Sequence, residues 1–145
     1  MIDRMLTLLK EQTMCVLATC DEDKPYCSLM AYVTDASGRT VYLVTLGSSR
    51  KYINIVRNPH VSLLVDTRAL HVPSDRGAVQ ALTVLGECST VADEGVRREL
   101  LERIAAVHPH TAPLVNSPDA RLLAVRVNAL LLLDGVDKAH FETLK

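Results

Sequence analysis

Aromatic side chains are scarce in this sequence, with one Phe, four Tyr and no Trp among 145 residues. Proteins that hold single-stranded nucleic acid stack the bases on aromatic platforms, and such a platform cannot be built here. The net charge of -1 supplies no basic field for a polyanion or an anionic membrane surface, so no nucleic-acid or membrane partner is expected. Cysteine occurs four times, at Cys15, Cys20, Cys27 and Cys88, in no C-x-x-C pair and with no His at ligand spacing. That pattern reads as reduced thiols in a cytosolic core rather than a metal centre or a redox couple. Long apolar runs are missing as well. The longest late one, Ala129–Leu133, falls far short of the roughly 20 residues that cross a bilayer. No signal peptide is visible, and a cytoplasmic location is expected.

With so few aromatics the core has to be aliphatic. The length suits a single domain, residues 1–145, and the content of 48% hydrophobic and 23% charged residues is that of an ordinary globular chain. The N-terminal stretch MIDRMLTLLKEQ places Ile2, Met5, Leu6 and Leu9 at helical spacing. Thr13–Cys20, Pro25–Val33 and Thr40–Leu46 then read as three strands joined by the polar turns DEDK and TDASGR, an antiparallel meander rather than βαβ units. A short helix capped by Ser48 or Ser49 ends before Asn58-Pro59, and His60–Thr67 is a fourth strand. Arg68–Gly77 is a polar loop. Ala78–Val91 is a long strand with a bulge or bend expected at Gly86, and Asp93–Val107 is an amphipathic helix closed by His108-Pro109. Arg121–Asp134 returns to strand, long and bent. The expected sum is six strands and three helices, with several strands apolar on both faces, as in a closed barrel capped by helices or covered by a partner.

The chemistry concentrates in TLGSSRKYINIVRNPHVSLLVD, from Thr45 to Asp66. The first N–H groups of a helix lack internal partners and carry partial positive charge. Serine hydroxyls, a guanidinium and an ammonium added at that point make a compact receptor for a dianion such as phosphate. The plainer alternative is a simple serine cap with Arg50 and Lys51 solvated. Two cations in a first turn with no anion run against the helix dipole, which weighs against that alternative.

This stretch, preceded by VLATCDEDKPYCSLMAYV and TVYLVT, resembles the pyridoxamine 5'-phosphate oxidase-related, FMN-binding split-barrel family. The likeness is good from Thr13 to Thr67 and looser to Val107. It implies a mainly β (α+β) fold, a six-stranded antiparallel split barrel, and a homodimer with FMN at the subunit interface. It also implies that Thr45, Ser49, Arg50 and Lys51 hold the FMN phosphate, that Ser28, Leu29, Met30 and Ala31 lie along the flavin ring, and that Gln80 reaches the flavin of the other subunit. Two departures argue against vitamin B6 oxidation: CSLMAY stands where those oxidases carry basic residues, and the sequence ends at HFETLK without their extended C-terminal region. The implied function is an FMN-dependent oxidoreductase acting on a small molecule. A non-catalytic flavin carrier or sensor and a deazaflavin-dependent reductase are the alternatives. His71, His108 and His110 are read as loop histidines without assigned roles, and no catalytic residue or metal ligand is singled out.

Overall fold

The computed structural model describes residues 1–144. Its sheet is built from eight strands, β1 (Met14–Asp21), β2 (Lys24–Ala31), β3 (Val33–Thr34), β4 (Thr40–Leu46), β5 (His60–Asp66), β6 (Gln80–Thr90), β7 (Ala120–Asp134) and β8 (Lys138–Thr143). Four α-helices accompany them, α1 (Ile2–Glu11), α2 (Arg50–Arg57), α3 (Glu94–Val107) and α4 (Ala112–Val115), with three short 3-10 turns. The expected count of six strands and three helices is therefore corrected to eight and four. The stretch expected as one strand over Pro25–Val33 breaks at Tyr32, and the exposed strand β8 and the single-turn α4 went unrecognised.

All the pairings are antiparallel, in the order β2-β1-β5-β6-β7-β4-β3, with β8 also on β7. Tyr32 alone separates β2, which pairs with β1, from β3, which pairs with β4. The pairing order thus returns to its own start, and the sheet curls round an interior. Tyr32 is held at this crossing by its hydroxyl, which donates to the Leu9 carbonyl at 2.6 Å, and by its backbone N–H, which donates to the Thr13 carbonyl at 3.0 Å. Its own carbonyl accepts from Nε2 of the buried His108 at 2.9 Å, and because a carbonyl only accepts, Nε2 carries the proton.

Alternation along each strand sends Leu17, Leu43, Leu63, Leu82, Leu123 and Leu130 inward, all almost fully enclosed. Met5, Leu6 and Leu9 of α1 join this aliphatic core. In α1, Asp3 in the first turn and Lys10 in the last match the helix dipole. A second, smaller cluster lies on the outer side of β4 and the first half of β7, where Leu101 and Ile104 of α3 cover Val44, Ala120 and Leu122. Asp93 caps α3 by accepting from the Val96 N–H at 2.9 Å. The register between β6 and β7 shifts at Leu85/Gly86, where glycine was expected to mark a bulge. A Cβ at Gly86 would lie 2.5 Å from the Arg126 carbonyl oxygen.

Among the described residues, the outer face of the other strands carries no such helical cover. Register aligns Leu29, Val16, Leu64, Thr83, Leu131 and Phe141 in one row across β2, β1, β5, β6, β7 and β8. Leu29, Leu131 and Phe141 in that row are exposed. No helix among the described residues is long and apolar enough to cross a membrane.

Candidate functional site

The turn between β4 and α2 is clamped from three directions. Ser49 is the N-cap of α2 and its Oγ accepts from the Tyr52 N–H at 3.3 Å. The same oxygen shares a 2.9 Å hydrogen bond with Thr45 Oγ1. One hydrogen bond between two hydroxyls uses one of their two hydrogens, so whichever donates, an O–H remains for an incoming acceptor. Asp119, just before β7, accepts the Gly47 N–H through its backbone oxygen at 2.9 Å and the Ser48 N–H through Oδ2 at 3.1 Å. Arg121 then braces Asp119, with Nη2 3.3 Å from Oδ1 and its guanidinium 5.5 Å from the centre of the Tyr52 ring. Gly47 lets Asp119 and Arg121 approach closely here. A Cβ at that position would lie 2.7 Å from Asp119 Oδ1 and 2.8 Å from Arg121 Cζ.

Above this turn lies a hollow of ≈ 250 Å³ lined by Thr45, Ser48, Ser49 and Lys51 on one side and by Leu29, Met30, Val44, Leu46 and Leu114 on the other. Of the nine residues expected at the site, the structure brings Leu29, Met30, Thr45, Ser49 and Lys51 to this hollow. Arg50 does not line it; its Nη1 lies 3.9 Å from Asp21. Ser28 and Ala31 flank the hollow's residues on β2, opposite Leu17 and Met14 of β1. Gln80 starts β6 at another place on the sheet, exchanging backbone bonds with Thr67: the Thr67 hydroxyl accepts the Gln80 N–H at 2.9 Å, and the Gln80 carbonyl accepts the Thr67 N–H at 3.0 Å.

The donor set of the hollow fits a phosphate-bearing cofactor. It combines a spare hydroxyl hydrogen, the Lys51 ammonium and the first N–H groups of an eight-residue helix whose first turn holds no acidic residue. No carboxylate lines it among the described residues. FMN is larger than this hollow, and further hollows adjoin it through shared lining residues. Leu29 also lines a neighbouring hollow of ≈ 380 Å³ with Met14, Cys15, Val16, Leu64, Asp66 and Arg68. Leu64, Asp66 and Arg68 in turn line a third, of ≈ 270 Å³, with Arg76, Val79 and Ala81. The three form a groove along the outer flank of β2, β1 and β5.

Sequence reasoning missed Asp66, Arg68 and Arg76 of this groove, and it missed Asp119 and Arg121, which brace the turn beside it without lining it. Asp119 meets Ser48 across 71 residues of chain, a separation over which spacing carries no signal. Of the histidines, His108 is buried and bonded as described, His110 meets its ring edge-on at 5.7 Å, and His71 Nδ1 lies 3.8 Å from Asp75. The four thiols are free. Burial pushes Cys15 and Cys88 up to about 12, whereas Cys27 lies exposed on β2, not in the core.

The model of the pyridoxamine 5'-phosphate oxidase family matches residues 1–134, and the chain belongs to that family. Among solved structures, General Stress Protein 26 from Bacillus anthracis is 21% identical, with a TM-score of 0.71 over 98% of this chain and 97% of that one. A FAD-binding protein from Mesorhizobium loti is 15% identical, with a TM-score of 0.74 over 91% of this chain and 93% of that one. A heme binding protein from Mycobacterium smegmatis is 16% identical, with a TM-score of 0.81 over 96% of this chain, which spans 56% of that one. At these identities the likeness is one of fold. No curated protein sequence matches.

Proposed function

We propose that the chain is an FMN-binding flavoprotein of split-barrel type, an oxidoreductase for a small molecule, working as a homodimer with the cofactor at the subunit interface. The observation that carries the reading is the convergence of Thr45, Ser49 and Lys51 with Leu29 and Met30 on one hollow: an oxyanion receptor set beside an apolar strand flank. In this reading the hydroxyls, the helix N–H groups and Lys51 bind the cofactor phosphate, and the β2 flank from Ser28 to Ala31 seats the ring. Flavin, when bound, supplies hydride or electron transfer. The chain's part is to hold the ring, exclude water from its protein-facing side and leave the other side open to substrate. The FAD-binding neighbour of the same fold lends support.

The uncovered apolar row from Leu29 to Phe141 supports dimerisation, since exposed apolar patches of this kind mark association surfaces. In the dimer Gln80 would belong to the partner subunit's flavin site. Oxidation of pyridoxamine 5'-phosphate itself is disfavoured by the residues that β2 carries, Cys27-Ser28-Leu29-Met30, which bring no cation to the ring. A non-catalytic carrier is the second reading, favoured by the lack of any histidine or carboxylate among the described residues of the grip hollow.

The test is the absorbance spectrum and mass of what co-purifies, followed by FMN and riboflavin affinities. The proposal expects a yellow dimer that binds FMN far more tightly than riboflavin and turns over NAD(P)H with an acceptor. Equal affinities for the two flavins overturn the phosphate grip, and FMN binding without turnover selects the carrier.

A further inference from the structure

The third hollow of the groove carries two guanidinium groups that the phosphate grip does not use. Arg68 lies side-on against Asp66: Nε donates to Oδ1 at 2.9 Å and to Oδ2 at 3.0 Å, and Nη2 donates to Oδ2 at 2.7 Å. Asp66 Oδ1 also accepts the Arg68 backbone N–H at 2.9 Å, so the carboxylate is fully engaged by one residue. Its side chain is 12% exposed, whereas that of Arg68 is 69% exposed. The fork therefore spends the carboxylate inside and presents the guanidinium outside, with both Nη1 hydrogens lacking an acceptor among the described residues. Arg76, across the same hollow, is anchored at one point, where Nη1 donates to the Gly135 carbonyl at 3.0 Å. The lining then holds two guanidinium groups and one carboxylate, a single net positive charge, and its remaining walls, Leu64, Val79 and Ala81, are apolar.

We propose that Arg68 and Arg76 form a binding site for a small oxyanion, a carboxylate or phosphate ester group, and that the molecule meeting the cofactor is an organic anion selected by this pair. Guanidinium groups with free N–H pairs beside apolar walls are suited to such a group, because the bonds are charge-assisted and part of the site is shielded from water. Asp66 acts as the positioning residue. It fixes the Arg68 side chain, which otherwise holds many rotamers, so that less freedom is lost when the anion arrives. Placement suits the role. Leu29, at the grip, and Leu64, at the arginines, lie in one register row with Val16 between them. Two strand spacings separate them, about 10 Å. That span is commensurate with a flat ring held by its phosphate at the grip end and presenting its far side near the arginines.

That the anion meets a flavin rests on the proposed function above; the oxyanion site itself does not. The experiment therefore separates them. The side-chain Nε–H signals of Arg68 and Arg76 are followed by nitrogen-15 spectroscopy while inorganic phosphate, or in a parallel titration acetate, is added at constant ionic strength. One series uses wild-type protein saturated with FMN, so that the grip is filled. A second uses flavin-free Lys51→Ala. Saturable shifts of both signals are expected in both series, with Arg68→Ala and Arg76→Ala each weakening the anion about tenfold or more and the exposed control Arg98→Ala leaving it unchanged. Tighter phosphate assigns a phosphate ester, and tighter acetate a carboxylate. If FMN does not bind wild type but the shifts persist in Lys51→Ala, the flavin reading falls and the oxyanion site stands. Linear, non-saturating shifts, or variants that match Arg98→Ala, overturn the site.

Discussion

At one end of the groove the proposed recognition rests on backbone, and at the other on side chains. The grip owes its shape to the turn from Leu46 to Ser49, pinned by Asp119 through two N–H groups and packed so closely that a side chain at 47 would displace Asp119 and Arg121. Its hydroxyls and helix N–H groups are fixed before any ligand arrives. The arginine end has one rigid member, the Asp66–Arg68 fork, and one member, Arg76, on a turn of the exposed segment between β5 and β6. A site of fixed dipoles suits a group that is always the same, as a cofactor phosphate is. A site of long cationic side chains suits groups that differ in size.

The largest effect that can break this contrast is at Lys51. If the grip takes a phosphate, Lys51→Ala removes a charge-assisted bond worth about 1.5–3 kcal/mol, and FMN affinity falls roughly ten- to a hundredfold. Arg50→Ala, by contrast, is expected to change it less than about threefold, because Arg50 turns toward Asp21 and stands outside the hollow. Riboflavin binding should respond little to either. Calorimetric titration of both flavins into the three proteins checks the order, and an Arg50 effect equal to that of Lys51 would show that the first turn of α2 acts as one diffuse charge.

A substitution of intermediate effect compares the two ends directly. In Gly47→Ala the new methyl meets Asp119 Oδ1 and Arg121 Cζ, both tips of side chains that can give way. The fold should survive, while Asp119 loses its hold on the Ser48 N–H and FMN affinity drops about three- to tenfold. Gly77→Ala lies beside the Arg76 turn, where nothing is within 4 Å of an added Cβ. It should leave FMN affinity alone and raise stability by about 0.4–1 kcal/mol through the unfolded chain. Melting temperature and FMN affinity, measured on both variants, distinguish a preformed grip from a pliable one.

The same contrast explains what could be read from the sequence. Thr45, Ser49 and Lys51 lie within seven residues on one strand end and one helix start, so propensity, capping and charge all speak locally. The strands β1, β2 and β4 were legible for the same reason, as was the bulge at Gly86, but the expected meander was not: β2 pairs with β1, and β4 pairs with β3 and β7. Asp119 and Arg121 come from a strand 71 residues away and are defined by what they touch, which no spacing encodes. The break at Tyr32 has a topological cause. The chain leaves β1 for β4 at that residue, and a run such as PYCSLMAYV carries no mark of a change of neighbour. Strand β8 escaped because its residues are almost all exposed and it alternates no apolar pattern; its pairing with β7 makes it a strand.

The smallest expected effect probes whether the Asp66–Arg68 fork is as rigid as its geometry suggests. The Arg68 guanidinium holds the Asp66 carboxyl below its ordinary value of 3.8, by hydrogen bonding first and against the opposing pull of partial burial. A carboxyl whose value is lowered in the folded chain binds fewer protons there than in the unfolded chain. Its contribution to stability is therefore fully present above about pH 3.8 and is lost as the pH falls through the lowered value. Because Arg68 is largely exposed, the contribution should match other solvent-screened pairs, about 0.2–1 kcal/mol, and shrink further in molar salt. Asp66→Asn should accordingly be slightly less stable than wild type at pH 7 in low salt and equal to it once the carboxyl is protonated. Urea unfolding of both proteins from pH 7 down to pH 2 measures the convergence. A gap that stays constant across that range would mean that the substitution costs packing rather than charge. No gap at any pH would mean that the fork does not order Arg68.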